Sequence, residues 1–150
     1  MGWASRTMFR GQFDHAIDDK GRLSIPAKLR ETLGKEKALV LTSFEAFLTA
    51  FPLSVWRAIE DRIRGNPTFK REMRDFLRHV YSSAEDVAID PQGRILIPPG
   101  MRQRAGITRE VVIIGVMDQI EIWDKSRWAA KVAMAPPPED LSAKLGELGV

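Results

Sequence analysis

At 150 residues, 44% of them hydrophobic and 29% charged, the chain is large enough to bury a core without covalent staples and too apolar for wholesale disorder. The absence of cysteine excludes a disulfide framework, a thiolate metal site and a cysteine nucleophile, and His15 and His79 share no metal-ligand spacing. A formal net charge of +3 says little by itself, but the basic excess is concentrated in the first half and the middle of the chain.

In chain order, residues 1–7 lack the apolar stretch of a secretory signal, and no apolar run reaches membrane-spanning length, so a cytoplasmic protein is expected. Phe9, Gly11, Phe13, His15 and Ile17 alternate with mostly polar residues, as in a half-buried strand. Asp18 to Gly21 reads as a turn: the carboxylate can accept a backbone N–H two residues on, and glycine can take positive φ. Leu23 to Ile25 form a second strand. Pro26 suits the first turn of a short helix that Gly34 ends. Leu39 to Leu41 and Phe47 to Phe51 are strands that pair back on each other. Pro52 opens a helix carrying Val55, Ile59 and Ile63, closed at Gly65. Asn66 and Pro67 are cap and first residue of the next helix. Its apolar stripe is Phe69, Met73, Phe76, Leu77 and Val80, and Lys70, Arg71, Arg74 and Arg78 lie opposite, most simply a solvated face.

The rest of the chain repeats the beginning. Asp18-Asp19-Lys20-Gly21-Arg22-Leu23-Ser24-Ile25-Pro26 recurs as Asp90-Pro91-Gln92-Gly93-Arg94-Ile95-Leu96-Ile97-Pro98, at an offset of 72. Held without a gap from 16–58 to 88–130, that offset gives 13 identities in 43 positions, among them Arg30/Arg102, Gly34/Gly106 and Trp56/Trp128. The second unit therefore has strands at Ile95 to Ile97, Val111 to Ile114 and Gln119 to Trp123, a short helix opened by Pro98 or Pro99, and a helix from Ser126 to Met134. Trp56 and Trp128 are expected to anchor their units in the core, and His15, on the apolar face of its strand, to be a buried or interface residue. His79 is a helix-surface residue. Pro136-Pro137-Pro138 leads into a short acidic tail.

Asp18, Gly21, Asp90 and Gly93 are the residues that a turn requires. A turn does not require the same arginine after each glycine. Arg22 could simply pair with Asp18 across the turn, but the repetition of the arginine as Arg94 points to one chemical task carried out at two equivalent places. Arginine presents a planar donor fork that suits phosphates and guanine edges. Lys20, Lys28 and Arg30 crowd the first turn, and Arg102 and Arg104 the second. Nucleotide-loop and nucleophile-elbow signatures are missing, and carboxylates sit singly beside cations, so no catalytic residue, metal or cofactor is expected.

These segments, with Met8-Phe9-Arg10-Gly11 before them and Ile120-Glu121-Ile122-Trp123-Asp124 after them, resemble the bacterial MraZ family over residues 8 to 134. The resemblance implies an α+β fold in which two pseudo-symmetric AbrB-like units form a double-split β-barrel with swapped hairpins and flanking helices. The units would span 8–64 and 81–134, with a connecting helix at 65–80 and a Pro-rich acidic tail at 135–150; residues 1–7 precede the family's usual start. It also implies a nucleoid-associated transcriptional regulator that binds tandem promoter repeats in double-stranded DNA, autoregulates the division and cell-wall gene cluster, and forms a homo-oligomeric ring, an octamer or larger. The family's DNA-contacting arginines fall on Arg22 and Arg94; Lys20, Lys28, Arg30 and Arg10 are supporting candidates. No membrane and no small-molecule substrate is expected. Two other readings stay open, a protein-interaction or antitoxin-like scaffold and an RNA binder; the second is disfavoured because most aromatic residues sit at core parity.

Overall fold

A computed structural model describes residues 8–43, 46–66, 71–135 and 140–149. The chain runs β1 (Phe9–Ala16), β2 (Arg22–Ser24), α1 (Ala27–Leu33), β3 (Ala38–Thr42), β4 (Leu48–Pro52), α2 (Leu53–Arg64), α3 (Arg71–Ser83), β5 (Glu85–Ala88), β6 (Arg94–Leu96), α4 (Pro99–Arg104), β7 (Glu110–Met117), β8 (Gln119–Asp124), α5 (Lys125–Met134) and α6 (Leu141–Glu147). The expected order of strand, turn, strand, short helix, strand and strand is present twice, in an α+β architecture.

Every strand pairing is antiparallel, and the two repeats interleave. Six strands form one sheet in the order β1-β7-β8-β4-β3-β5, and β2 and β6 form a separate two-stranded ribbon. The first strand of each repeat lies on the third strand of the other: β1 on β7 and β5 on β3. β4 meets β8 with Thr49 opposite Glu121, and β2 meets β6 with Leu23 opposite Ile95. Each of these two pairs is converted into itself by the offset of 72. The pairs therefore mark a pseudo-twofold relation that runs through both sheets.

The burial pattern explains why the sequence adopts this register. Leu23 and Ile95, on the inner side of the ribbon, are buried with Leu39, Leu41, Val111, Ile113, Ile120 and Ile122 of the large sheet. A fully buried Leu or Ile contributes about 1.5–3 kcal/mol, and a one-residue slip would turn the whole set outward. β3 is buried on both faces, since Val40 turns the other way and packs with Phe51, Trp56 and Val80 beneath α2 and α3. Pro26, Pro52 and Pro98 occupy the N-cap positions of α1, α2 and α4. Gly34 and Gly106 follow α1 and α4 at φ 59° and 67°.

Four details differ from the sequence expectation. Trp56 is buried, donating from Nε1 to Glu60 (3.0 Å), but Trp128 is half-exposed and touches Trp123 edge-on with centroids 5.3 Å apart. The reason is α3, which stands beside α2 only: Tyr81 packs on Trp56 and donates to the same Glu60 carboxylate at 2.5 Å. Desolvation and, after it, Glu60 push the Tyr81 phenol up to about 12. Of the α3 stripe, Val80 is buried against Val40 and Phe51 while Met73 and Phe76 are exposed. Phe69, Pro67 and Lys70 lie outside the described residues. His15 keeps its apolar parity but is only half-buried, because β1 is an edge strand. The tail contains α6, whose N-cap Asp140 accepts from the Ala143 amide at 3.1 Å.

Candidate nucleic-acid interface

The two Asp-x-x-Gly-Arg segments fold into the same turn. Asp18 Oδ1 accepts the backbone N–H groups of Lys20 and Arg22, each at 2.9 Å, and Asp90 Oδ1 accepts those of Gln92 (2.9 Å) and Arg94 (2.8 Å). The Gly21 amide donates to the Asp18 carbonyl and the Gly93 amide to the Asp90 carbonyl, each at 2.9 Å. Gly21 and Gly93 take φ 84° and 78°, in the left-handed region where a Cβ is strained.

The same carboxylates hold the arginine side chains. Asp18 Oδ2 accepts Arg22 Nε at 2.8 Å, and Asp90 Oδ2 accepts Arg94 Nε at 2.8 Å. Among the described residues no other hydrogen bond engages either guanidinium, so the terminal nitrogens remain for a ligand. The backbone amide of Arg22 comes first, and its guanidinium after it, in holding the Asp18 carboxyl below its ordinary 3.8, against some desolvation; Arg94 does the same to Asp90. The carboxylates therefore stay ionised well into acid, and each arginine is a pre-aimed fork whose charge is partly offset.

The ribbon register sets these forks on one surface. Arg22 lies opposite Leu96, and Ser24 opposite Arg94. Since Leu23 and Ile95 point into the core, alternation sends Arg22, Ser24, Arg94 and Leu96 outward. The structure thus brings Arg22 and Arg94 together across the pseudo-twofold axis, each about one-third exposed.

The supporting candidates are distributed unevenly. Lys20 is exposed at the tip of the first turn and Lys28 is exposed on α1. Arg30 reaches across to the other repeat, where its side chain lies over Gly93 and its Nη1 donates to the Gln92 carbonyl at 3.4 Å. Its counterpart Arg102 lies in the same way over Gly21. Backbone bonds reinforce this crossing, from Ile25 N–H to the Gly93 carbonyl and from Ile97 N–H to that of Gly21, both 2.9 Å. Arg30 and Arg102 are thus clamps between the repeats, and their identity at offset 72 is the sequence signal of that role. Arg10 is exposed on β1 opposite Val116, about 20 Å of extended strand away from Ala16, and is not brought to the turns. Arg104 donates to Ser43 Oγ at 2.9 Å and is engaged there.

Comparison with known proteins agrees with the repeat. The MraZ protein family model, described as antitoxin-like, matches residues 8–79 and again 80–142. The chain is 37% identical over 143 residues to a transcriptional regulator MraZ of Clostridium beijerinckii, covering 95% of this chain and 100% of that one. It is 38% identical to the protein of that name from Acetivibrio thermocellus, with 95% and 100% covered, and 44% identical to that of Syntrophobacter fumaroxidans, with 84% and 85% covered. With both repeats matched in order and the turn motifs intact, the chain belongs to the MraZ family.

Proposed function

We propose that this chain is a transcriptional regulator that binds double-stranded DNA through the outer face of the β2–β6 ribbon. The observation that carries the reading is the pair of arginine forks, each aimed by an aspartate in the same way and set on one face about a pseudo-twofold axis. A two-stranded antiparallel ribbon fits the major groove, and arginine bidentate to guanine is the commonest specific contact there. Because Asp18 and Asp90 offset part of the charge, Arg22 and Arg94 serve base choice more than bulk attraction to phosphate. Lys20 and Lys28 supply backbone attraction at one flank. Arg30 acts mainly through the turn that it covers, and Arg10 would meet DNA only at a neighbouring segment. The relatives' printed name, transcriptional regulator, supports the reading.

The finer parts of the proposal follow the family resemblance. On that resemblance the two repeats would form a double-split barrel with swapped hairpins, a reading that the interleaving of β1 with β7 and of β5 with β3 supports. The unit boundaries stay at 8–64, 65–80, 81–134 and 135–150. Several copies form a ring, an octamer or larger, that engages tandem promoter repeats upstream of the division and cell-wall gene cluster, and the protein works in the cytoplasm at the nucleoid without catalysing a reaction.

The test is selection of bound sequences from random duplex DNA, followed by affinity measurements with Arg22→Ala and Arg94→Ala. Each substitution is expected to cost about 1–3 kcal/mol of specific binding. Each removes a partly exposed ion pair, so stability should fall by no more than about 1 kcal/mol. Selection that enriches no sequence, or variants that bind as well as the parent, would leave the scaffold reading, which the family's antitoxin-like description favours.

A further inference from the structure

We infer that Leu96 reads a base, packing against the 5-methyl group of a thymine beside the guanine that Arg22 engages. The inference rests on the DNA reading above and assigns to one residue a contact that the arginines cannot make.

Leu96 is the last residue of β6 and is 56% exposed. Single exposed apolar residues are ordinary, so exposure alone decides nothing. Its position does. Leu96 lies directly opposite Arg22 on the outer face of the ribbon, while the inner positions are filled by Leu23 and Ile95. It therefore contributes little to the core. Its counterpart at offset 72 is Ser24, opposite Arg94, so the fold accepts a small polar residue at the equivalent place. An apolar side chain is thus kept where the ladder does not need one, in the middle of a face otherwise made of arginine and serine.

The spacing fits adjacent base pairs. Directly opposed residues of an antiparallel pair have Cβ atoms about 4.5–5.5 Å apart. Base pairs rise about 3.4 Å, so a fork and an apolar side chain at that separation reach neighbouring steps of one groove. In the major groove thymine alone presents a methyl group, whereas a serine hydroxyl accepts either hydrogen-bonding pattern. The two halves of the ribbon then differ in kind: Arg22 with Leu96 specifies two steps, and Arg94 with Ser24 specifies one.

The test uses the purified full chain and a duplex that it has itself selected from a random pool. Each thymine is replaced in turn by uracil, which removes only the methyl group, and affinities are measured for the parent and for Leu96→Ser. The parent is expected to lose about fourfold at one or two thymines, the worth of one buried methyl-sized group. Leu96→Ser should bind the unmodified duplex correspondingly less well and be indifferent to uracil at those positions, with its thermal midpoint and molecular mass unchanged. A parent insensitive to every uracil overturns the inference without needing any variant to fold, as does a selected site without thymine. An unchanged uracil profile in Leu96→Ser overturns it as well, and a loss of mass with that profile intact would make Leu96 a contact between copies. If uracil has no effect while Arg22→Ala still weakens binding, the DNA reading stands and only this inference fails; if no duplex is selected at all, both fail.

Discussion

The turns of the two repeats share a frame and differ in what surrounds it. Asp18 and Asp90 make the same three side-chain hydrogen bonds at 2.8–2.9 Å, and the glycine φ angles differ by only a few degrees. Around that frame Lys20 faces Gln92 in the alignment, Lys28 faces Gly100, and Ser24 faces Leu96. The backbone geometry is therefore set by Asp, Gly and Arg alone, and the fringe is free to vary. Identity between the repeats marks what holds the fold and aims the forks, whereas divergence marks where the two halves of the face can treat a ligand differently.

The helices that follow the repeats differ most in energy. Trp56 of α2 is buried against Phe51, Tyr81 and Glu60, whereas Trp128 of α5 has Trp123 on one side and is half-exposed. Trp56→Ala is therefore expected to cost about 3–5 kcal/mol and Trp128→Ala less than half of that. Denaturant unfolding of the two variants measures the difference. Equal losses would mean that α3 does not distinguish the repeats.

A smaller and symmetric effect is expected at the turns. Asp18→Ala and Asp90→Ala each remove two backbone partners and one guanidinium partner, so both variants should lose stability in thermal or denaturant unfolding, and to the same extent. Gly21→Ala and Gly93→Ala should lose about 1–3 kcal/mol through strain at positive φ. At Gly93 the added Cβ would also run into Arg30 Cδ and displace the clamp. The pH dependence has a fixed sign. The folded-state pKa of both aspartates lies below 3.8, so their contribution is complete above that value and is lost as pH falls through the depressed pKa. Acid unfolding should therefore flatten in Asp18→Asn and Asp90→Asn to equal degrees; unequal flattening would break the equivalence of the two frames.

Much of this was legible in the sequence, for a physical reason. A turn that needs an acceptor, a positive φ and a register is written in a few adjacent residues, so Asp18, Gly21, Asp90 and Gly93 could be read directly. Strand order was not legible, because alternation tells which face of β1 is buried and is silent on whether its partner is β3 or β7. The same limit hid the clamps: Arg30 and Gly93 are far apart in the chain and meet only because the repeats interleave. The exposure of Trp128 was not legible, because equal residues at equal repeat positions need not have equal neighbours, and among the described residues only Trp56 has α3 beside it. The exposure of Leu96 is not legible in the sequence either, since only the register places it opposite Arg22.

The smallest expected effect bears most directly on how the two halves divide their work. Lys20 and Lys28 are exposed beside the first turn, and repeat two offers Gln92 and Gly100 in their places. A lysine on a phosphate releases condensed counterions, so it contributes to the salt dependence of binding and carries no sequence information. Lys20→Gln, which gives the first turn the residue of the second, should therefore lower the slope of log affinity against log salt by about one and weaken all duplexes alike. The converse change, Gln92→Lys, should raise the slope by a similar amount if the second turn also lies against the backbone. Binding of a selected duplex and of a scrambled one, each over a series of salt concentrations, measures both changes. A Lys20→Gln variant that keeps its slope but alters its preference between the two duplexes would show that the first turn reads bases at its tip, and the division of labour between the halves would have to be reversed.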